Sequence, residues 1–193
     1  MKWNLLTICL FIFCSLSAQD NKQYPTPEFQ NEIYYLDKNN NSLVRLEKGN
    51  SGIKSKMRMG GFGGSENSFV MDNEKSPVQI KDSLSLSFIC YTGDSQSGGW
   101  DSMFDPSRTT SLYNAYPDQG TRKVVVQSAS GMRILGKTKE SKKYTFSVRK
   151  IRPGYLELVI DKPLPKGEYM FVVMGGFNVN MEGSASLFAF EIE

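Results

Sequence analysis

The chain has 193 residues, 39% hydrophobic, 12% aromatic and 22% charged, with a formal charge of +3. This composition excludes a disordered or collagen-like chain and predicts one folded domain. Histidine is absent, which excludes Ser-His-Asp and Cys-His nucleophiles, His-ligated zinc, HExxH metalloproteases and His phosphotransfer.

Met1-Lys2 gives a positive start, and the apolar run from Leu5 to Leu16 is far shorter than the roughly 20 residues of a membrane-spanning helix. It closes on the small residues Ser15-Leu16-Ser17-Ala18, which suit signal peptidase. Residues 1–18 are therefore predicted to be a cleaved signal peptide and 19–193 a single exported domain, in the periplasm, at the cell surface or outside the cell. Phe13 before Cys14 argues against lipidation, since a lipobox needs a small residue there. Cleavage would also remove Cys9 and Cys14, leaving Cys90 as a lone, buried thiol with no internal disulfide. No later segment is long and apolar enough to span a membrane as a helix.

The remaining chain reads as strands. Ile33 to Asp37 and Leu43 to Glu47 flank Lys38-Asn39-Asn40-Asn41, whose asparagines tolerate the left-handed backbone of tight turns. Asp37-Lys38-Asn39-Asn40-Asn41-Ser42 starts like a calcium loop, but Ser42 stands where glycine is needed and Lys48 where glutamate is. A hairpin turn is predicted instead. Ser51-Gly52-Ile53-Lys54 fits the Ser-x-x-Lys pattern of serine acyl enzymes, yet it lies where turn passes into strand and not on the helix that pattern requires. The Gly60 to Gly64 run lacks the following Lys-Ser/Thr and helix of a phosphate loop.

From Ser83 to Cys90, Leu84, Leu86, Phe88 and Cys90 alternate with serines and Ile89, predicting a half-buried strand. Tyr144, Phe146 and Val148 alternate with polar residues, and after the Arg152-Pro153-Gly154 turn signal Leu156, Leu158 and Ile160 do the same. These two segments are predicted to form a hairpin. Further strands are expected at 53–58, 67–72, 122–127, 132–135, 167–174 and 185–192. About ten short strands without helical crossovers predict an all-β fold, an antiparallel two-sheet β-sandwich of jelly-roll or immunoglobulin-like kind. The expected core comprises the apolar residues of these strands together with Phe171, Phe188 and Phe190.

Two regions are candidates for function. The stretch from Thr92 to Asp118 is too long for an ordinary connection, so it is either a functional loop or holds a short strand near Thr110 to Asn114. Within it, Asp94, Asp101 and Asp105 offer oxygen ligands for calcium or a carboxylate pair for glycoside hydrolysis, and Trp100 a stacking face for a sugar. From Thr121 to Arg152, ten basic residues stand against Glu140 alone, a balance of +9. Lys123, Arg133, Lys143, Arg149, Lys150 and Arg152 are the expected members of an anion-attracting patch. The partners this implies are an anionic glycan, a lipid headgroup or an acidic protein surface; export argues against nucleic acid.

The stretch from Lys162 to Phe171 contains Pro163-Leu164-Pro165-Lys166-Gly167-Glu168-Tyr169, and Leu187 to Ile192 ends the chain's last strand. Together with the Tyr34-Tyr35-Leu36 hairpin, these resemble exported bacterial β-sandwich proteins that carry no assigned activity. The resemblance implies fold and compartment. Copper-binding sandwiches end similarly, but their histidine ligands have no counterpart here. The sequence therefore predicts a non-enzymatic envelope protein that binds or scaffolds, needing no cofactor or metal. The alternatives are a carboxylate-dependent glycan hydrolase and a calcium-dependent carbohydrate-binding module.

Overall fold

A computed structural model describes residues 24–57, 64–81, 84–93, 105–129, 140–174 and 184–193. The expected signal peptide, the loop candidates Asp94, Trp100 and Asp101, the expected strand at 132–135 and Arg133 lie outside the described residues. Among the described residues no helix is long and apolar enough to cross a membrane.

Among the described residues the fold is all-β, with one four-residue helix, α1 (Pro106–Thr109). The first hairpin joins β1 (Glu32–Asp37) to β2 (Ser42–Arg45). Its turn is set by the Asp37 carboxylate, which accepts from the Asn39 and Asn40 amides, while Asn41 takes φ 47°. This is the hairpin reading of the calcium-like motif. Leu46 then carries the chain into β3 (Glu47–Gly52), and Ile53 into β4 (Lys54–Met57). Next come β5 (Ser65–Asp72), β6 (Gln79–Ile80) and β7 (Ser87–Tyr91). After α1 follow β8 (Thr110–Asn114), β9 (Tyr116–Asp118), β10 (Thr121–Ala129) and β11 (Lys143–Tyr144). The last four are β12 (Phe146–Arg152), β13 (Tyr155–Ile160), β14 (Gly167–Met174) and β15 (Ser184–Ile192).

These strands form three sheets where two were expected. The front sheet has the order β12-β13-β7-β1-β2, the central sheet β11-β8-β14-β15-β3, and the back sheet β4-β5-β10-β9. All these pairings are antiparallel; β6 adds one parallel pairing to β15. The four junctions β2 to β3, β3 to β4, β8 to β9 and β11 to β12 each pass through one residue, so a single run of chain serves two sheets, the device that turns corners in sandwiches.

Alternation along β14 and β15 explains the third layer. Tyr169, Phe171 and Val173, with Phe188, Phe190 and Ile192, face the front sheet and meet Phe88, Cys90 and Leu158. Met170, Val172, Leu187 and Ala189 face the other way and meet Phe69, Met71 and Val124 of the back sheet. A strand covered on both faces needs a nearly continuous apolar run, and Tyr169 to Val173 is one. The Tyr169 hydroxyl donates to the Pro165 carbonyl at 2.6 Å, closing the turn that launches β14.

The expected hairpin is present: β12 pairs with β13 from Phe146–Ile160 to Arg152–Tyr155. Gly154 sits in its turn at φ 68°, and a Cβ there would meet the Gly93 carbonyl oxygen at 1.8 Å, so no other residue fits. The strand near Thr110 is present as β8. Of the expected core, Leu86, Phe88, Leu158, Phe171, Phe188 and Phe190 are buried, and Tyr144, Phe146, Val148 and Leu156 pack partly buried against them.

Leu84 departs from expectation. It is 80% exposed, while Ser87 is wholly buried. The alternation argument assumes one solvated face, but β7 begins only at Ser87 and is covered on both sides. On its far face Ile89 and Tyr91 pack with Tyr34, Leu36 and Tyr155, and residues 24–31 run across that cluster. There the Tyr155 hydroxyl donates to the Pro25 carbonyl at 2.7 Å, and the Asn31 amide to the Tyr91 carbonyl at 2.6 Å. Cys90 is buried on the core face as expected, and burial pushes its thiol up to about 12.

Candidate functional site

The described residues of the basic segment divide between three environments. Arg122 and Lys123 are neighbours on β10 but point opposite ways. Arg122 shares the inward face with Val124 and is wholly buried between the central and back sheets. Its Nη2 donates to Glu47 Oε2 at 2.6 Å and its Nη1 to Glu168 Oε2 at 3.2 Å. Its Nε donates to the Asn73 carbonyl at 2.9 Å, and Nη2 also reaches the Asp72 carbonyl at 3.2 Å. Every face of the guanidinium fork is used, as a buried charge requires. Burial lifts the Glu168 carboxyl above its ordinary value, although the Ser76 amide and Arg122 both pull it down.

Lys123 lies on the face of the back sheet turned away from the centre. Its ammonium sits 3.0 Å from both Glu66 Oε1 and Asp118 Oδ2. It is therefore not part of one field with the β12 cations, which belong to the front sheet, and two carboxylates beside it offset its charge.

The other described cations stand on one run of chain. β11 is an edge of the central sheet and β12 an edge of the front sheet, and Thr145 joins them. Lys142, Lys143, Arg149, Lys150 and Arg152 all project, exposed, from this one ribbon. Three of them lie against rings: Lys142 Nζ is 4.8 Å from the Tyr144 centroid, Lys143 Nζ 6.0 Å from that of Tyr113, and Arg152 Cζ 4.8 Å from that of Tyr155. Such rings hold the long side chains in place while leaving their heads exposed. Arg149 differs from its neighbours. Its guanidinium clasps Glu157, which is 2% exposed, and donates to the Tyr24 hydroxyl at 2.9 Å; the Glu157 hydrogen bonds raise the Arg149 pKa.

Compared with family models, with curated proteins and with solved structures, the chain matches none.

The ribbon's chemistry is thus read from its own residues. Lysines on an edge strand repel the same edge of another copy, and they also offer several cations in a row to an anion. Of the loop candidates, Asp105 is described. Its carboxylate caps α1, accepting from the Ser107 amide at 2.9 Å and the Ser107 hydroxyl at 2.6 Å, and these bonds hold its pKa below the ordinary value. Ser51 lies in β3, not on a helix. Its hydroxyl donates to the Gly52 carbonyl at 2.8 Å and accepts from the Val70 amide at 3.1 Å. Among the described residues no three His, Cys, Asp or Glu side chains group as metal ligands.

Sequence reasoning missed two features. The charge count takes Arg122 only as one of the segment's ten basic residues, although on a strand its parity with Val124 is a signal for the inward face. The second is a polar cleft of about 480 Å³ between β3 and the end of β5, lined by Glu47, Gly49, Ser51, Val70 and Asp72 among others. It depends on where two sheets part, which no local pattern encodes.

Proposed function

We propose that this is an exported envelope protein that binds an anionic partner without transforming it, through the ribbon of β11 and β12. The anion class that suits it best is a sulfated or carboxylated glycan. The observation that carries this reading is that Lys142, Lys143, Lys150 and Arg152 are all exposed on the one run of chain that forms two neighbouring edge strands, three of these side chains lying against rings. A row of cations repeated along a strand matches a repeating chain of negative charges. Further support comes from the carboxylates: Glu32, Glu47, Glu66, Glu157 and Glu168 each face an arginine or lysine, an arrangement suited to holding a scaffold together. In this reading the front and central sheets are the sandwich proper, of immunoglobulin-like or jelly-roll kind, with the Tyr169 hydroxyl closing its corner.

Chromatography on immobilised heparin tests it. The protein should be retained at low salt and released as ionic strength rises, because such attraction is screened over about 10 Å at 0.1 M. Replacing Lys143, Lys150 and Arg152 together by Gln should abolish retention and leave the unfolding midpoint unchanged. Retention equal to that of the unaltered protein would remove the ribbon as the site. Arg149 is left out of this variant because Arg149→Gln would strand the buried Glu157 carboxylate and destabilise the fold.

A further inference from the structure

β4 runs beside β5 only as far as the Lys54–Ser68 pair. Beyond it the chain enters β3, which pairs with β15 instead, and the two strands part around the cleft of about 480 Å³, a volume within the range of ligand sites. Arg122 fixes its width. The same guanidinium holds Glu47 of one wall at 2.6 Å and the Asp72 and Asn73 carbonyls of the other at 3.2 and 2.9 Å.

The β5 wall is an unfinished strand edge. Residues of an antiparallel strand turn their N–H and C=O alternately to either neighbour. The Val70 amide meets Ser51 Oγ and the Asp72 carbonyl meets Arg122, so both residues face the cleft. The Val70 carbonyl and the Asp72 amide lie on that edge, where no described strand pairs with β5. They flank Met71 and form the donor and acceptor pair that binds one residue of an added strand. Gly49 stands opposite, and a Cβ there would come within 3.1 Å of Met71 Cε; its lack of a side chain makes room for the Met71 side chain, so a larger residue at 49 would crowd this wall.

The lining charges cancel, Glu47 and Asp72 against Lys48 and Lys54, and no aromatic ring is among the described lining residues. A charged ligand finds no net field there, and a sugar no stacking surface. We propose that the cleft takes an extended polypeptide segment, recognised through its main chain as a short strand added to β5 beyond β4. This site is separate from the basic ribbon and stands or falls independently of it.

The test screens the purified protein against immobilised synthetic peptides of varied sequence and, in parallel, neutral glucan oligosaccharides, then follows hydrogen exchange. Peptides that bind should slow exchange of the Asp72 amide about tenfold or more. Gly49→Leu, which crowds the cleft wall, and Asp72→Pro, which removes the donor at a strand edge, should each abolish peptide binding. Both should keep the far-ultraviolet circular dichroism and the cooperative urea unfolding of the unaltered protein, which report that the variants are folded. The proposal is overturned if no peptide binds, if bound peptides leave Asp72 exchange unchanged, if both folded variants bind as before, or if the glucan protects that amide instead.

Discussion

Replacing Arg122 by Met should destabilise the protein by about 3–5 kcal/mol, the cost of removing one partner from a buried ion pair. The side chain is wholly buried and answers Glu47, Glu168 and two main-chain carbonyls. Without it, two carboxylates and two carbonyls at the junction of the central and back sheets lose a charged donor, and Glu168 is left with the Ser76 amide. Against a typical total of about 5–15 kcal/mol this is a large share. Urea unfolding should show a lowered midpoint. Adding Glu47→Gln and Glu168→Gln to the Arg122→Met variant should recover part of the loss, because the uncompensated charges are then gone. A single variant within about 0.5 kcal/mol of the unaltered protein, the range of ordinary surface changes, would mean that Arg122 does not tie the sheets.

The second large effect is expected at Phe190. Its ring stacks on Tyr169 at 5.6 Å and meets Phe88 at 4.9 Å and Phe171 at 5.9 Å, at the centre of the layer between front and central sheets. Phe190→Ala should cost about 3–5 kcal/mol, the transfer of the ring plus the cavity it leaves. Leu84→Ala serves as its control. Both are large apolar residues on expected strands, yet Leu84 is 80% exposed and Phe190 is fully buried, so the Leu84 variant should unfold at nearly the original urea concentration. Equal losses at the two positions would contradict the core as described.

Much of the strand content was legible because period-two alternation and turn residues are local. Tyr144 to Val148, the Pro153-Gly154 turn and Leu156 to Ile160 specify their hairpin without help from the rest of the chain. What was not legible depends on how sheets stack. Ser87 is buried on the far face of β7, an interior strand of the front sheet, and Leu84 is exposed because the strand starts after it. Likewise β3, with the sequence Glu47-Lys48-Gly49-Asn50-Ser51-Gly52, has no strand-like composition. It becomes one by pairing with β15 from Gly52–Ser184 to Glu47–Ala189, a tertiary override of weak propensity. For the basic segment, counting charges found the ribbon of β11 and β12 but could not tell it from Arg122, in the interior, or from Lys123, flanked by Glu66 and Asp118 on another sheet.

The central functional claim is binding without turnover. Native mass spectrometry of the protein mixed with a defined sulfated oligosaccharide tests it most directly. The account predicts a one-to-one complex of unchanged ligand mass, lost in the variant lacking Lys143, Lys150 and Arg152. Accumulation of shorter oligosaccharides in place of that complex would contradict it and turn attention to Asp94, Asp101 and Asp105 as catalytic carboxylates.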